Sequence, residues 1–216
     1  MATNDPVLGS GVRVEIALTY AAPIPVTAIT LANPAVVTAN AHGMLAKSAG
    51  YFDNMVGMEK LDGQATRVDV VTANSFTIQD VDTTGFGAHV SGFYVPVATW
   101  ATLAQARSYG LGGGAAKTED ATTLIDTREV LFSTRNAAET VSIDVLALKV
   151  DNAAMKKMRA VGRALDFAVF RVTFLSGEQR IFRGQPSIPG ESVSQSALGT
   201  GQLSITVRGQ IVYLAA

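Results

Sequence analysis

Two histidines, eighteen carboxylates and no cysteine are the raw material for chemistry in this chain. Neither His42 nor His89 has a second histidine or a carboxylate at a metal-ligand spacing nearby, so both are expected to be structural, His42 in the turn it opens with Gly43. Asp80 and Asp82 stand one residue apart and could begin an oxygen-ligand calcium site. No glycine and closing glutamate complete that series, and a solvated turn is the better reading. The run Gly110-Leu111-Gly112-Gly113-Gly114 invites a phosphate-loop interpretation but lacks the Gly-Lys-Ser/Thr ending and any strand-then-helix setting. No Gly-x-Ser-x-Gly nucleophile elbow is present, and the missing cysteines remove thiolate nucleophiles, thiolate zinc sites and disulfides together. The residues therefore point away from an enzyme, with no catalytic residue, metal site or cofactor expected.

The elements that carry these residues are mostly strands. The chain has 216 residues, 48% hydrophobic and 16% charged, which suffices for a sizeable core and leaves a surface with little charge, as in a protein that turns much of its exterior into interface. A net charge of −1 with mixed signs gives no footprint for gripping nucleic acid by its phosphates. The polar Met1 to Pro6 start and the lack of a long apolar run predict neither secretion nor a membrane partner.

Gly11 to Tyr20 alternates Val12, Val14, Ile16 and Leu18 against polar or small residues, the period of a strand with one buried face. Pro23 and Pro25 interrupt it. From Val26 to Val97, short β-like runs are punctuated by turn steps such as Asn33-Pro34, His42-Gly43 and Asp62-Gly63, predicting a small β-barrel-like insert over 26–97. Residues 1–25 and 98–216 then form the core domain. Gly110 to Asn136 reads as a long polar loop, Val141 to Val150 as a buried strand, and Pro186 to Gly201 as an exposed Ser/Gly/Pro-rich loop before a last strand from Gln202 to Leu214.

One helix is predicted, capped by Asp151, with Ala154, Met158, Val161 and Leu165 on the face that packs against the core. Lys156, Lys157, Arg159 and Arg163 lie on its other side, as a solvated face or a salt-bridging interface. Trp100 is expected to anchor the core, with an anchor between subunits as the alternative.

The helix led by Asp151-Asn152-Ala153-Ala154-Met155, the run Phe170-Arg171-Val172-Thr173-Phe174-Leu175-Ser176-Gly177, then Ile181-Phe182-Arg183-Gly184 and Leu203-Ser204-Ile205-Thr206-Val207-Arg208-Gly209, resemble in this order the major tail tube proteins of siphophages, the long-tailed, non-contractile bacteriophages. The segment Ala98-Thr99-Trp100 to Thr127 is similar to the part of that family before its long intersubunit loop. Ala32 to Thr38, Ala41-His42-Gly43 and Leu61-Asp62-Gly63 resemble a small β module of phage tail and baseplate proteins, here inserted where many tube proteins have none.

The resemblance implies a mainly β protein, a β-sandwich or half-barrel tail-tube fold with one flanking α-helix plus the inserted module. It further implies homohexameric rings that stack around a channel for DNA passage during ejection. Partners would be other copies of itself, a tape measure protein in the lumen, and tail terminator and tip proteins. Viral DNA would pass without specific binding, and the virion tail would be assembled in the host bacterial cytoplasm. Leu124, Ile125, Arg128, Val130 and Phe132, with Gly112 and Gly113, are the expected subunit-interface residues, joined by the exposed ends of the Val12 to Leu18 and Leu203 to Tyr213 strands. Unpaired strand edges are a liability in a lone β protein, and ring closure would pair them. Two alternatives share the composition: another virion ring or decoration protein such as a tail terminator, and a receptor- or carbohydrate-binding module using Tyr51, Phe52 and Phe86 as a platform.

Overall fold

Period-two alternation sets most of the architecture. The computed structural model describes residues 11–125, 127–146, 152–188, 190–194 and 197–215. Its strands are β1 (Arg13–Tyr20), β2 (Ile24–Pro25), β3 (Ala28–Ile29), β4 (Ala35–Thr38), β5 (Ala49–Val56), β6 (Ala65–Val71), β7 (Ser75–Ile78), β8 (Ser91–Thr102), β9 (Ala106–Gly112), β10 (Ala116–Asp120), β11 (Leu131–Asn136), β12 (Thr140–Leu146), β13 (Ala168–Thr173), β14 (Gln179–Pro186), β15 (Gly190–Ser194) and β16 (Ala197–Leu214), with helix α1 (Ala153–Ala164) before β13. The protein is mainly β. One continuous antiparallel sheet runs β3-β4-β7-β6-β5-β8-β1-β13-β14-β16-β12-β9, with β2 added on β8 and β15 on β16, while β10 and β11 form a separate hairpin.

Two apolar clusters lie on opposite faces of this sheet. Phe170 and Phe182 stack at 5.4 Å with Val14, Ile16, Val141, Ile143, Leu203 and Ile205, and α1 closes over them with Ala154, Met155, Met158 and Val161. Strands from β8 through β12 share that single core, so the sheet curls round the helix as a half-barrel. The second cluster, around Phe52, Phe76 and Tyr94, fills the 26–97 region and also takes in Ala17, Val169, Ile181 and Val212 from the back of the half-barrel. β1 is therefore covered on both faces, contrary to the single buried face its alternation predicts. Glu15 is buried and paired with Arg171 at 2.7 Å, and Arg171 lies 4.4 Å over the ring of Trp100, which is half-buried against the second cluster.

The expected boundary at 97/98 falls inside β8, whose first half pairs with β5 and whose second half pairs with β1. Three segments differ from expectation. Much of the predicted 110–136 loop is strand: Gly110 and Gly112 complete β9, where a side chain at Gly110 would meet the Ser142 hydroxyl, and Gly113 and Gly114 turn the chain at positive φ into β10. The predicted 186–201 loop carries β15 and the start of β16, paired from Gly190–Gln202 to Ser194–Ala197. The helix is capped by Asn152, whose carboxamide oxygen accepts from the amides of Ala154 and Met155 at 2.8 and 3.2 Å; Asp151 lies outside the described residues.

Leu165 corrects the expected helix face. Ala154, Met158 and Val161 are buried, but Leu165 is 74% exposed. The helix ends at Ala164, and Leu165 turns left-handed (φ 54°) as the C-cap, its amide bonded back to Gly162 O. That turn takes its side chain off the buried stripe.

Candidate functional site

Two surfaces are built in a way that packing alone does not require. The first is the outer face of β9, β12 and β16. Val141, Ile143 and Val145 point into the core, which leaves Thr140, Ser142 and Asp144 on the other side. Register aligns them with neighbours of the same kind, in the rows Gly112–Thr140–Thr206, Gly110–Ser142–Ser204 and Ser108–Asp144–Gln202. The face is open, small and polar, with no cation in these rows and one carboxylate, Asp144, which accepts from the Ser108 hydroxyl at 2.6 Å. Among the described residues β9 ends the sheet, which leaves its outer edge open for pairing.

The second surface is the β10–β11 hairpin. Every residue of both strands is exposed, whereas an isolated two-stranded hairpin is marginal in water. Its loop is ordered by local bonds. The Asp120 carboxylate accepts from the amide and hydroxyl of Thr122, which hold its pKa below the usual carboxylate value, and Thr122 Oγ1 accepts from Val130 N at 3.0 Å. Leu124 and Ile125 stand fully in solvent at the tip, with Leu131 and Phe132 also exposed. Arg128 is exposed and Val130 half-buried. The seven expected interface residues are thus brought onto one hairpin, with Gly112 and Gly113 at its root.

The remaining candidates resolve into structural roles. His42 takes the Met44 amide on Nδ1 at 3.1 Å and stacks edge-on against Phe76. Asp82 caps Thr84, and Asp80 accepts from the Tyr213 amide at 2.8 Å. The aromatic platform for a carbohydrate is not there: Phe52 is wholly buried, Tyr51 packs against Tyr20 and under Arg183, and Phe86 is half-buried with Lys60 over its ring. The sequence reading missed the polar rows. Their signal was the Ser-x-Thr alternation of Ser204 and Thr206 opposite Thr140 and Ser142, which needs strand register to become a surface.

The family described as phage tail tube protein, TTP, matches over residues 56–216. Among solved structures, the tail of an empty GTA particle, computed with helical refinement and C6 symmetry, is similar at 16% identity, covering 55% of this chain and 88% of that one with a TM-score of 0.42. No curated protein matches. The family match spans well over half of the sequence, from the end of β5 through the helix and the closing strands, and the chain belongs to the phage tail tube protein family.

Proposed function

We propose that this structural tail protein is the major subunit of the tube: it closes into hexameric rings, the rings stack, and the outer face of β9, β12 and β16 lines the channel through which DNA leaves. The observation that carries this reading is that face. A channel wall must let a polyanion slide, so it should offer water-like hydroxyls and backbone without cations to bind phosphate or apolar patches to stick. The rows of Ser, Thr, Gly and Gln, with one carboxylate, meet both demands, and Arg107 stands at their edge beside Ser108 and Asp144. The free edge of β9 gives each subunit a place to continue the sheet into its neighbour, which turns six open half-barrels into one closed wall.

On this reading the tape measure protein occupies the same lumen during assembly, the terminator and tip proteins cap the stack, and assembly takes place in the host cytoplasm. The long, non-contractile tail follows from the sequence resemblance. Negative-stain electron microscopy of the concentrated full chain tests the proposal. Hollow tubes of regular diameter are expected, and lone rings that never stack would replace it with the terminator reading.

A further inference from the structure

Strand β16 is eighteen residues long and changes register once against β14. Its first part carries Gln202, Ser204 and Thr206 of the polar rows, and its last part puts Val212 and Leu214 into the apolar cluster of the 26–97 region. Between them β14 pairs Arg183 with Arg208 and then Ile181 with Val212, so Gly209, Gln210 and Ile211 stand opposite the single residue Phe182. Extra residues at one point bend a strand and raise its twist.

A straight pairing is open to the same sequence. Carrying the Arg183–Arg208 register on without the bulge would set Ile181 opposite Gln210, Arg180 opposite Ile211 and Gln179 opposite Val212. That slip is two residues, and side chains alternate with period two, so each residue keeps its face. Ile211 would still point with Val207 into the core under the helix, and Val212 to the other side. The hydrophobic pattern that forbids a slip of one residue does not choose between these two registers.

The choice is made by the turn before β6. Val207 gives its amide to Glu139 on the β12 side, so in a straight strand Arg208 and Gln210 would both turn theirs to β14. Gln64 takes those bonds instead: its Oε1 accepts from the Gln210 amide at 2.7 Å and its Nε2 donates to the Gln210 carbonyl at 2.8 Å. On either side Asp62 holds Arg208 at 2.8 Å, and Asp80 accepts from the Tyr213 amide at 2.8 Å. The turn is firmly seated, with Gly63 donating to the Phe52 carbonyl at 2.9 Å, Phe52 donating to the Gln64 carbonyl at 3.0 Å, and Phe52 and Leu61 wholly buried.

We infer that the Asp62-Gly63-Gln64 turn is a register latch. It withholds Gln210 from β14, keeps β16 in its bulged register, and so sets the bend of the strand that carries Ser204 and Thr206. Gln64 and Gly209 are its positioning residues. The consequence for a channel wall rests on the tube reading, whereas the latch is a property of the single chain.

Nuclear magnetic resonance of the full chain, below the concentration at which it assembles, reads the register. The α-protons of Arg180 and Tyr213 are close in the bulged register, and those of Arg180 and Ile211 in the straight one. Two variants release the latch from opposite sides. Gln64→Ala removes the hold on Gln210, and Gly209→Val sets a branched side chain against the left-handed conformation at φ 80° while leaving the turn intact. Each is expected to add the Arg180–Ile211 contact and a second set of peaks for 208–214. Val37→Ala, a buried truncation on β4, which pairs only with β3 and β7, should lower stability and keep the Arg180–Tyr213 contact alone. The unsubstituted pattern in either folded latch variant overturns the inference, and so does slippage in Val37→Ala, which would make register a matter of general stability. In tubes, the released variants should give a spread of diameters where the unsubstituted chain gives one. Uniform tubes of unchanged diameter from a slipped variant would break the link to the wall. No tubes from the unsubstituted chain would sink the tube reading and leave the latch to the resonance result.

Discussion

The side chain of Gln64 replaces a missing strand for Gln210: its Oε1 accepts from the Gln210 amide at 2.7 Å and its Nε2 donates to the Gln210 carbonyl at 2.8 Å. The contact exists because β16 bulges at Gly209 (φ 80°), where an added Cβ would lie 2.3 Å from Gln64 Oε1. Arg208 adds a salt bridge to Asp62 at 2.8 Å one step away. The turn before β6 is thus plugged into the last strand of the half-barrel. Gln64→Ala strands two backbone groups and should cost about 2–3 kcal/mol, each unmet group contributing about 1 kcal/mol or more. Urea unfolding of the full chain measures it, and a cost under about 0.5 kcal/mol, the range of an inert surface change, would mean water serves those groups equally well.

Arg171 shields Glu15. With Glu15 buried on β1 and its carboxylate bonded to Arg171 Nε at 2.8 Å, Arg171→Leu should destabilise by about 2 kcal/mol through the charge left unpaired. The double variant Glu15→Leu with Arg171→Leu should recover most of that loss. A double variant as unstable as the single would assign the cost to lost stacking on Trp100 instead.

Variants of the hairpin can distinguish folding from assembly. Because β10 and β11 bury nothing in their own subunit, Leu124→Ser with Phe132→Ser should leave the unfolding midpoint of the isolated chain within about 0.5 kcal/mol of the original, as for surface changes. Phe170→Ala, under the helix, should cost about 3–5 kcal/mol. Sedimentation should show the hairpin variant unable to form large assemblies at concentrations where the original does. Assembly undiminished would remove the hairpin from the interface.

His89 supplies a pH dependence. Burial lowers its pKa, and its Nε2 is enclosed without a partner, so the folded state favours the neutral ring. The unfolded chain therefore binds the proton more readily. Stability should be level above the unfolded histidine value of about 6.5 and fall as pH drops through it. Chemical denaturation at pH 7.5 and pH 5.5 should show the drop, and His89→Gln should flatten it. An identical drop in that variant would place the titrating group elsewhere.

The sequence was informative where period and burial coincide. Val141, Ile143 and Val145 alternate cleanly because one face of β12 meets the core, and α1 repeats Ala154, Met158 and Val161 because it lies over that core. Its end was misjudged at Leu165, since periodicity continues through a residue that caps rather than packs. β15 escaped notice because Gly190 and Ser192 lack the branched side chains that mark strands, and only pairing with β16 orders them. The Gln64–Gln210 contact joins residues 146 positions apart and has no local trace. The hairpin shared by the residues expected at interfaces was not legible, because a Gly-rich entry and a polar run look like loop until β10 and β11 are set side by side.

The polar rows make the sharpest prediction. On the tube reading, rows of hydroxyls with Arg107 at their edge should hold duplex DNA weakly, so tubes of the unsubstituted chain should leave most linear fragments in the supernatant when pelleted at moderate salt. Ser142→Lys with Ser204→Lys adds two cations per subunit in one row, repeated by every copy around the ring. Each neutralised phosphate releases counterions, with a slope in log affinity against log salt near −0.9 per contact. The variant tubes should therefore retain linear duplex at low salt and release it steeply as salt rises. A closed circular plasmid cannot thread a tube, so it should stay in the supernatant at every salt concentration. Equal retention of linear and circular DNA would mean that β9, β12 and β16 face outward, and the channel would have to be lined by another part of the sheet.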